Sequence, residues 1–335
     1  LTVSSSPHVR CNESIPKIMW TVVATLVPAA AFGVYYFGFN ALLNIIVSIV
    51  SAVFFEWAWE KFMHKKITIN DGSAVITGLL LAMCCSPILP WWMCIVGSFI
   101  AIVVCKQAMG GLGYNLFNPA HVGRAGLMVS WPVAMTTWTQ VNGSVIDGVA
   151  GATPLNVLKQ SGYDALLQLF NNDPMTMYQN MFLGFRNGSM GETSTVLLIL
   201  GGLFLMYKGY VKWQATVAMI ATVGILMWVF GGAVGAHATG GLFTGDPIFH
   251  MMAGGLIIGA FFMSTDMVTA PITLKGQLIF AVGAGVLTVL IRLLGGYPEG
   301  VCYSILLMNA VTPLIDLTVK PRIFGSVKVK AKEAE

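Results

Sequence analysis

Ten apolar runs separated by short polar breaks constrain this chain more than any other feature. They fall at about Ile18–Phe37, Ala41–Phe55, Ala74–Cys85, Trp91–Val104 and Leu116–Pro132, and resume at about Val196–Tyr207, Trp213–Phe230, Ile248–Met263, Leu278–Leu294 and Val301–Leu317. A helix needs about 20 residues to cross the hydrocarbon of a bilayer. Only 10% of the 335 residues are charged, against about 25% in soluble domains, so a water-facing surface cannot be built from this balance. The expected fold is an all-α integral membrane protein with about ten transmembrane helices. Several runs are too short to cross alone, and breaks such as Ser86-Pro87-Ile-Leu-Pro90 and Thr269-Ala-Pro271 lie at their ends. Irregular backbone at membrane depth is tolerated only inside protein or along a cavity.

Basic residues set the expected orientation. With the N-terminus inside, Arg10, Lys17, Lys61, Lys65, Lys66, Lys106, Lys208, Lys212 and Lys275 fall on cytoplasmic segments. The tail adds Lys320, Arg322, Lys328, Lys330 and Lys332, for 14 of the 18 basic residues. That distribution satisfies the positive-inside rule and places both termini in the cytoplasm. The two halves also echo each other. Gly78, Ser86-Pro87, Gly110-Gly111 and Asn118-Pro119 in the first match Gly254-Gly255, Ser264-Thr265-Asp266, Gly295-Gly296 and Asn309…Pro313 in the second. A repeated unit of five spans must insert in opposite senses, an inverted-repeat plan. The expected organisation is a five-helix repeat over 1–134, an extracytoplasmic loop over 135–192, a second five-helix repeat over 193–319 and a basic cytoplasmic tail over 320–335.

The longest polar interruption contains Asp147-Gly-Val-Ala-Gly-Ala-Thr153-Pro-Leu-Asn156. Gly151 and Ala152 remove bulk beside Thr153, and Pro154 fixes the chain after it. The hydroxyl is therefore expected to stand out from the backbone, open to a large modifying enzyme. Taken alone, a Gly-Ala-Thr triplet is far more often an ordinary turn, since such residues recur freely in loops.

The longer pattern resembles the flavinylation site of one family of membrane subunits. The family includes the D subunit of the Rnf complex and the B subunit of sodium-pumping NADH:quinone oxidoreductase. In it a flavin transferase cleaves FAD and attaches FMN through its phosphate to a threonine. The resemblance implies Thr153 as that acceptor, with Asp147, Gly151 and Ala152 completing the site; Ala150 stands where the usual motif has Ser or Thr. Leu1-Thr-Val-Ser-Ser-Ser-Pro-His8, Ile15-Pro-Lys-Ile-Met-Trp20, Phe117-Asn-Pro-Ala120, Phe262-Met-Ser-Thr-Asp266 and Thr269-Ala-Pro271 resemble the Rnf members. So do Gly295-Gly-Tyr-Pro-Glu-Gly300 and Leu307-Met-Asn-Ala-Val-Thr-Pro-Leu-Ile-Asp316. The longer amino-terminal extension of the quinone-reducing relatives is missing.

What the resemblance implies is a subunit of an ion-translocating ferredoxin:NAD⁺ oxidoreductase in the bacterial cytoplasmic (inner) membrane, not catalytic alone. It would carry covalent FMN outside the membrane and couple electron transfer to Na⁺ or H⁺ translocation. Its partners would be Rnf subunits of the A, B, C, E and G types, with a flavin transferase for maturation. Non-covalent riboflavin is implied too, without a residue to identify it. Two alternatives stand beside this: the quinone-reductase counterpart, and a stand-alone inverted-repeat permease, which would have no use for Thr153.

Ionisable residues in the spans form a second set of candidates. Glu56 and Glu60, four apart, share a helix face; Asp266 and Asp316 end the eighth and tenth spans and Arg292 the ninth. Charge at bilayer depth points to an ion pathway, whereas for residues this near a span end snorkelling or pairing with Lys61, Lys275 or Lys320 is the commoner account. His121 beside Arg124 could touch an anionic or flavin group. The chain shows no metal-ligand spacing, no Walker A loop, no Rossmann glycine pattern and no nucleic-acid patch, so nucleotide chemistry belongs to other chains.

Overall fold

The computed structural model describes residues 13–139, 150–234 and 240–320. In chain order the helices of the first half are α1 (Ile15–Phe37), α2 (Phe39–Phe62), α3 (Ser73–Met83), α4 (Trp91–Gln107), α5 (Pro119–Ser130) and α6 (Pro132–Thr136). The polar stretch holds a two-residue antiparallel ladder of β1 (Trp138–Thr139) and β2 (Ala150–Gly151), then α7 (Pro154–Gln168) and α8 (Pro174–Leu183). The second half contains α9 (Thr195–Tyr207), α10 (Trp213–Phe230), α11 (Pro247–Met252), α12 (Leu256–Ile258), α13 (Leu274–Leu294) and α14 (Val301–Thr318). Among the described residues α1, α2, α10, α13 and α14 are long and apolar enough to cross a membrane, and α3, α4 and α9 are shorter apolar helices. The chain is a helical, multi-pass membrane protein.

Four helices begin at a polar residue followed by proline. Asn118 accepts from the His121 N–H (3.3 Å), Thr153 from Asn156 (3.2 Å), Asp173 from Met175 and Thr176 (both 3.1 Å), and Asp246 from Phe249 (3.0 Å). A side-chain oxygen at this position satisfies one of the orphaned first-turn donors. Proline is tolerated just after it, because the N–H it lacks would have been orphaned anyway.

One helix break falls where it is expected, between two runs, and a second divides the run expected at Ile248–Met263. α3 stops at Met83, and the chain turns through Ser86 and Pro87 before α4. Asn44 of α2 donates Nδ2 to the carbonyls of Pro87 (3.1 Å) and Leu89 (2.8 Å), while Ser86 Oγ donates to Thr137 O (2.8 Å). In the second half α11 ends at Met252, Gly254 and Gly255 take positive φ (67° and 65°), and α12 runs on into a π-helical turn, Gly259–Met263. There Arg292 of α13 donates Nη1 to His250 O (2.6 Å) and Nη2 to Ala253 O (2.8 Å). Without water, backbone carbonyls exposed by a break must find protein donors. One asparagine and one arginine, each on a continuous neighbouring helix, provide them.

The two halves share one packing pattern. α2 packs on α3 and α4, α4 on α5, and α3 on α1 and α5. In the second half α10 packs on the π turn and α13, α13 on α14, and the π turn on α9 and α14. α1 against α9 and α5 against α14 join the halves. Gly78 permits the close approach of α3 to α2: a Cβ there would stand 2.6 Å from Ser48 O and 2.8 Å from Ile49 Cα.

Gly78→Leu should therefore lower stability by at least the ~1–3 kcal/mol typical of overpacking. The measurement is a fall in the thermal midpoint of detergent-solubilised protein. Gly296→Ala, whose added methyl meets nothing within 4 Å, should stay within about 0.5 kcal/mol of the parent.

Candidate functional site

Thr153 caps α7, and that role overturns the expectation of an outstanding hydroxyl. Its Oγ1 turns back to accept the Asn156 N–H (3.2 Å), and the residue is 2% exposed. The Thr-Pro pair is a helix start rather than a rigid turn, and at such a start the threonine side chain must fold over the first turn. Gly151 lies in β2 and Ala152 just before the cap, whereas Asp147 falls outside the described residues.

The polar stretch is itself built. Leu155, Leu166, Phe170, Met177 and Met181 form a small apolar core with Phe249 and Ala253, which seats α7 and α8 on α11. The Tyr178 hydroxyl donates to Asp246 (2.6 Å), and burial together with that carboxylate raises the phenol's pKa above its ordinary value. Lys159 of α7 donates Nζ to the carbonyls of Gly295 and Tyr297, and partial burial lowers its pKa from the ordinary value. The Gly295-Gly-Tyr-Pro-Glu-Gly300 segment thus meets the helix that starts at Thr153. Beside the first turns of α7 lies a cavity of about 410 Å³, bordered by Leu155, Lys159, Met227, His250 and Arg292.

The four carboxylates singled out for an ion pathway lie in two groups. Glu56 (1% exposed) does not snorkel and does not pair with Lys61. Its Oε1 accepts from Lys106 Nζ (2.5 Å) and Gln107 Nε2 (2.8 Å), and Lys106 also reaches Ser73 Oγ (2.6 Å). Lys106, expected on an aqueous segment, is 1% exposed; Lys61 instead lies over the Trp57 ring at 4.8 Å. Glu60 accepts from the Thr68 N–H (2.9 Å) and Oγ1 (2.5 Å). Asp266 accepts from Val268 N (3.3 Å) and Thr269 Oγ1 (3.1 Å), and Asp316 accepts from Ile272 N (3.2 Å). Thr312 Oγ1 donates to Thr269 O (3.1 Å), so the Thr269-Ala-Pro271 and Asn309…Asp316 motifs meet at one turn.

Several buried charges have partners that the sequence analysis did not assign. Arg124 of α5 pairs with Glu299, 175 residues away, just before α14. His121, one turn earlier, is 2% exposed and has no hydrogen-bond partner on either ring nitrogen among the described residues. Cys84, His121, Arg124, Glu299 and Cys302 border one small enclosed space at the seam of the halves. Arg186 donates Nε (3.2 Å) and Nη2 (2.8 Å) to Glu192 O, and the Glu192 carboxylate accepts from Ser189 Oγ (2.8 Å). Arg292, expected to end its span, is 5% exposed and directs two nitrogens at the α11 carbonyls.

The chain is also similar to known proteins along most of its length. The profile described as the NQR2, RnfD, RnfE family matches residues 2–325. The D subunit of the proton-translocating ferredoxin:NAD(+) oxidoreductase complex of Clostridium ljungdahlii is 63% identical, over 97% of this chain and 96% of its own length. The Na(+)-translocating counterpart from Acetobacterium woodii is 43% identical over 100% of this chain and 98% of its own. The D subunit of the ion-translocating oxidoreductase complex of Stutzerimonas stutzeri is 38% identical over 94% and 93%.

The Arg124–Glu299 pair should respond asymmetrically to substitution. Removing one partner leaves a buried charge uncompensated and costs roughly 3–5 kcal/mol, so Glu299→Leu and Arg124→Met should each lower the thermal midpoint in detergent sharply. Arg124→Met combined with Glu299→Leu should recover most of that loss, and a double-mutant cycle measures it.

Proposed function

This chain belongs to the NQR2, RnfD, RnfE family, and from that membership we propose that it is the membrane subunit of an ion-translocating ferredoxin:NAD⁺ oxidoreductase carrying covalent FMN on Thr153. The observation behind the flavin assignment is the position of this hydroxyl. It stands at the N-terminus of α7, within the Asp147–Leu155 motif and beside a cavity bordered by Lys159 and Arg292.

The residues present suit a phosphate-linked group. Helix N-termini favour anions through their dipole and free N–H groups. Pro154 contributes no donor there, whereas Asn156 already directs its N–H at the acceptor oxygen. When bound, the flavin supplies one-electron transfer, and the protein sets its position and potential. The transferase must first draw Thr153 out of its cap. A cap is worth only about 1 kcal/mol, so opening the first turn of α7 is a small local cost.

In this proposal the N-terminus is cytoplasmic, the polar stretch extracytoplasmic, and the two halves form inverted repeats in the cell membrane. The other Rnf subunits supply and remove electrons. The relatives at 63% and 43% identity are named for protons and for Na⁺ respectively, and translocation of one of these ions is coupled here to the electron flow.

The peptide spanning 147–156, taken from cells with active flavin transferase, should carry the mass of one FMN. Thr153→Ala should abolish it. A peptide of unshifted mass from the parent protein would overturn the flavin assignment.

A further inference from the structure

We infer that the small enclosed space at the seam of the halves holds one water molecule, and that this water joins His121 to Ser189 and Glu192 as a single proton-binding site. The inference stands apart from the flavin assignment and does not depend on it.

The space fits a water and little else. It measures about 10 Å³, near the lower size that admits one water, which also needs roughly 2–4 polar partners. His121 on α5, Ser189 ahead of α9 and Glu299 ahead of α14 all border it. Neither ring nitrogen of His121 has a hydrogen-bond partner among the described residues, although the residue is 2% exposed. A buried ring in that state has given up its bonds to solvent without replacement, which is costly. The other polar atoms around it are committed. Cys302 Sγ donates to the His121 carbonyl (3.5 Å), Cys84 Sγ faces Met263 Sδ (3.9 Å), and Arg124 pairs with Glu299. A metal ion is a poor alternative: the described residues hold no cluster of three His, Cys, Asp or Glu side chains suited to one, and the Arg124 guanidinium borders the space. A water both donates and accepts, and so suits an imidazole with one nitrogen of each kind.

Beyond Ser189 lies a carboxyl group without a counter-ion. Ser189 Oγ donates to Glu192 Oε1 (2.8 Å), and Glu192 is 4% exposed. Arg186 directs Nε and Nη2 at the Glu192 backbone carbonyl instead, and among the described residues the carboxylate makes no salt bridge. Glu192 lies in the short turn ahead of α9, outside the spans. Burial first, and the Glu299 carboxylate second, push its carboxyl up to about 7 against the opposing pull of Arg186 and Arg124. Gly255 borders both the carboxyl and the water space: a Cβ there would stand 3.7 Å from Glu192 Oε1.

Loading adds one proton from the aqueous phase to the Glu192 carboxylate. The new O–H donates to Ser189, the Ser189 hydroxyl turns to the water, and the water donates to the acceptor nitrogen of His121. Release reverses the chain. The ring then presents its N–H to the water, the water donates to Ser189, and Ser189 donates to the carboxylate. One proton is exchanged and no electron.

The full chain in lipid nanodiscs, titrated across neutral pH by infrared difference spectroscopy, tests the site. The parent should show a protonated-carboxyl band that appears as pH falls through about 7 and that Glu192→Gln removes. His121→Leu fills the space and expels the water. A drier carboxylate is harder to ionise, so the band should persist to a proton concentration about tenfold lower. His121→Gln keeps a donor and an acceptor and should titrate within about threefold of the parent. Ser189→Ala cuts the chain at its middle and should shift the band in the same direction as His121→Leu, which keeps the test open if the leucine variant does not fold. A map of the assembled complex that resolves ordered waters should show one between His121 and Ser189. An empty space there, or an unshifted band in both His121→Leu and Ser189→Ala, overturns the water link. A parent without a band that Glu192→Gln removes overturns proton binding.

Discussion

Backbone hydrogen bonding at two helix breaks is the constraint on which the remaining architecture depends. A membrane interior supplies no water, so each carbonyl freed between α3 and α4, or between α11 and α12, needs a protein donor. Asn44 and Arg292 meet that need from helices that run unbroken beside the breaks. The packing of α2 against α3 and α4, and of α13 against the second half, is thereby fixed in register as well as in contact. In a chain with so few charges, most buried ones serve as such fixings: Lys106 joins α4 to α2, and Arg186 holds the Glu192 carbonyl.

How much of this is legible in the sequence depends on range along the chain. Period and length locate α1, α10, α13 and α14 to within a few residues, because each is a continuous apolar run, whereas α2 continues to Phe62, past the Phe55 at which its apolar run ends, through Glu56, Glu60 and Lys61. Proline marks the break at Ser86-Pro87, whereas Ile248–Met263 reads as one run and divides at Gly254-Gly255, and the Asn118-Pro119 and Thr153-Pro154 pairs, read as a repeat motif and a turn, are helix starts. The run Leu116–Pro132 reads as one span, yet it divides at Trp131 into α5 and α6. The polar stretch reads as a loop, although α7 and α8 fold there. Their apolar partners, Phe249 and Ala253, lie far ahead in the chain, where local periodicity carries no trace of them.

The same distance hides the charge partners. Proximity in sequence favours Lys61 for Glu56, but the tertiary fold supplies Lys106. Thr153 shows the opposite case. Its motif is visible and its surroundings are not, since burial of the hydroxyl follows from α7 packing on the second half. The helix that starts at Thr153, the Gly295–Gly300 segment and the α11 break converge on one region from three distant parts of the chain.

The Arg124–Glu299 link has a mechanical consequence. It bridges the seam as a buried strut, at the place where α5 meets α14. A carrier that works by rocking one repeat against the other would have to pull those opposite charges apart in a medium of low polarity on every cycle. The strut ties the two halves together where α5 meets α14, so in the proposed ion-coupled function local shifts in side chains and half-helices, rather than separation of the halves, would open the route.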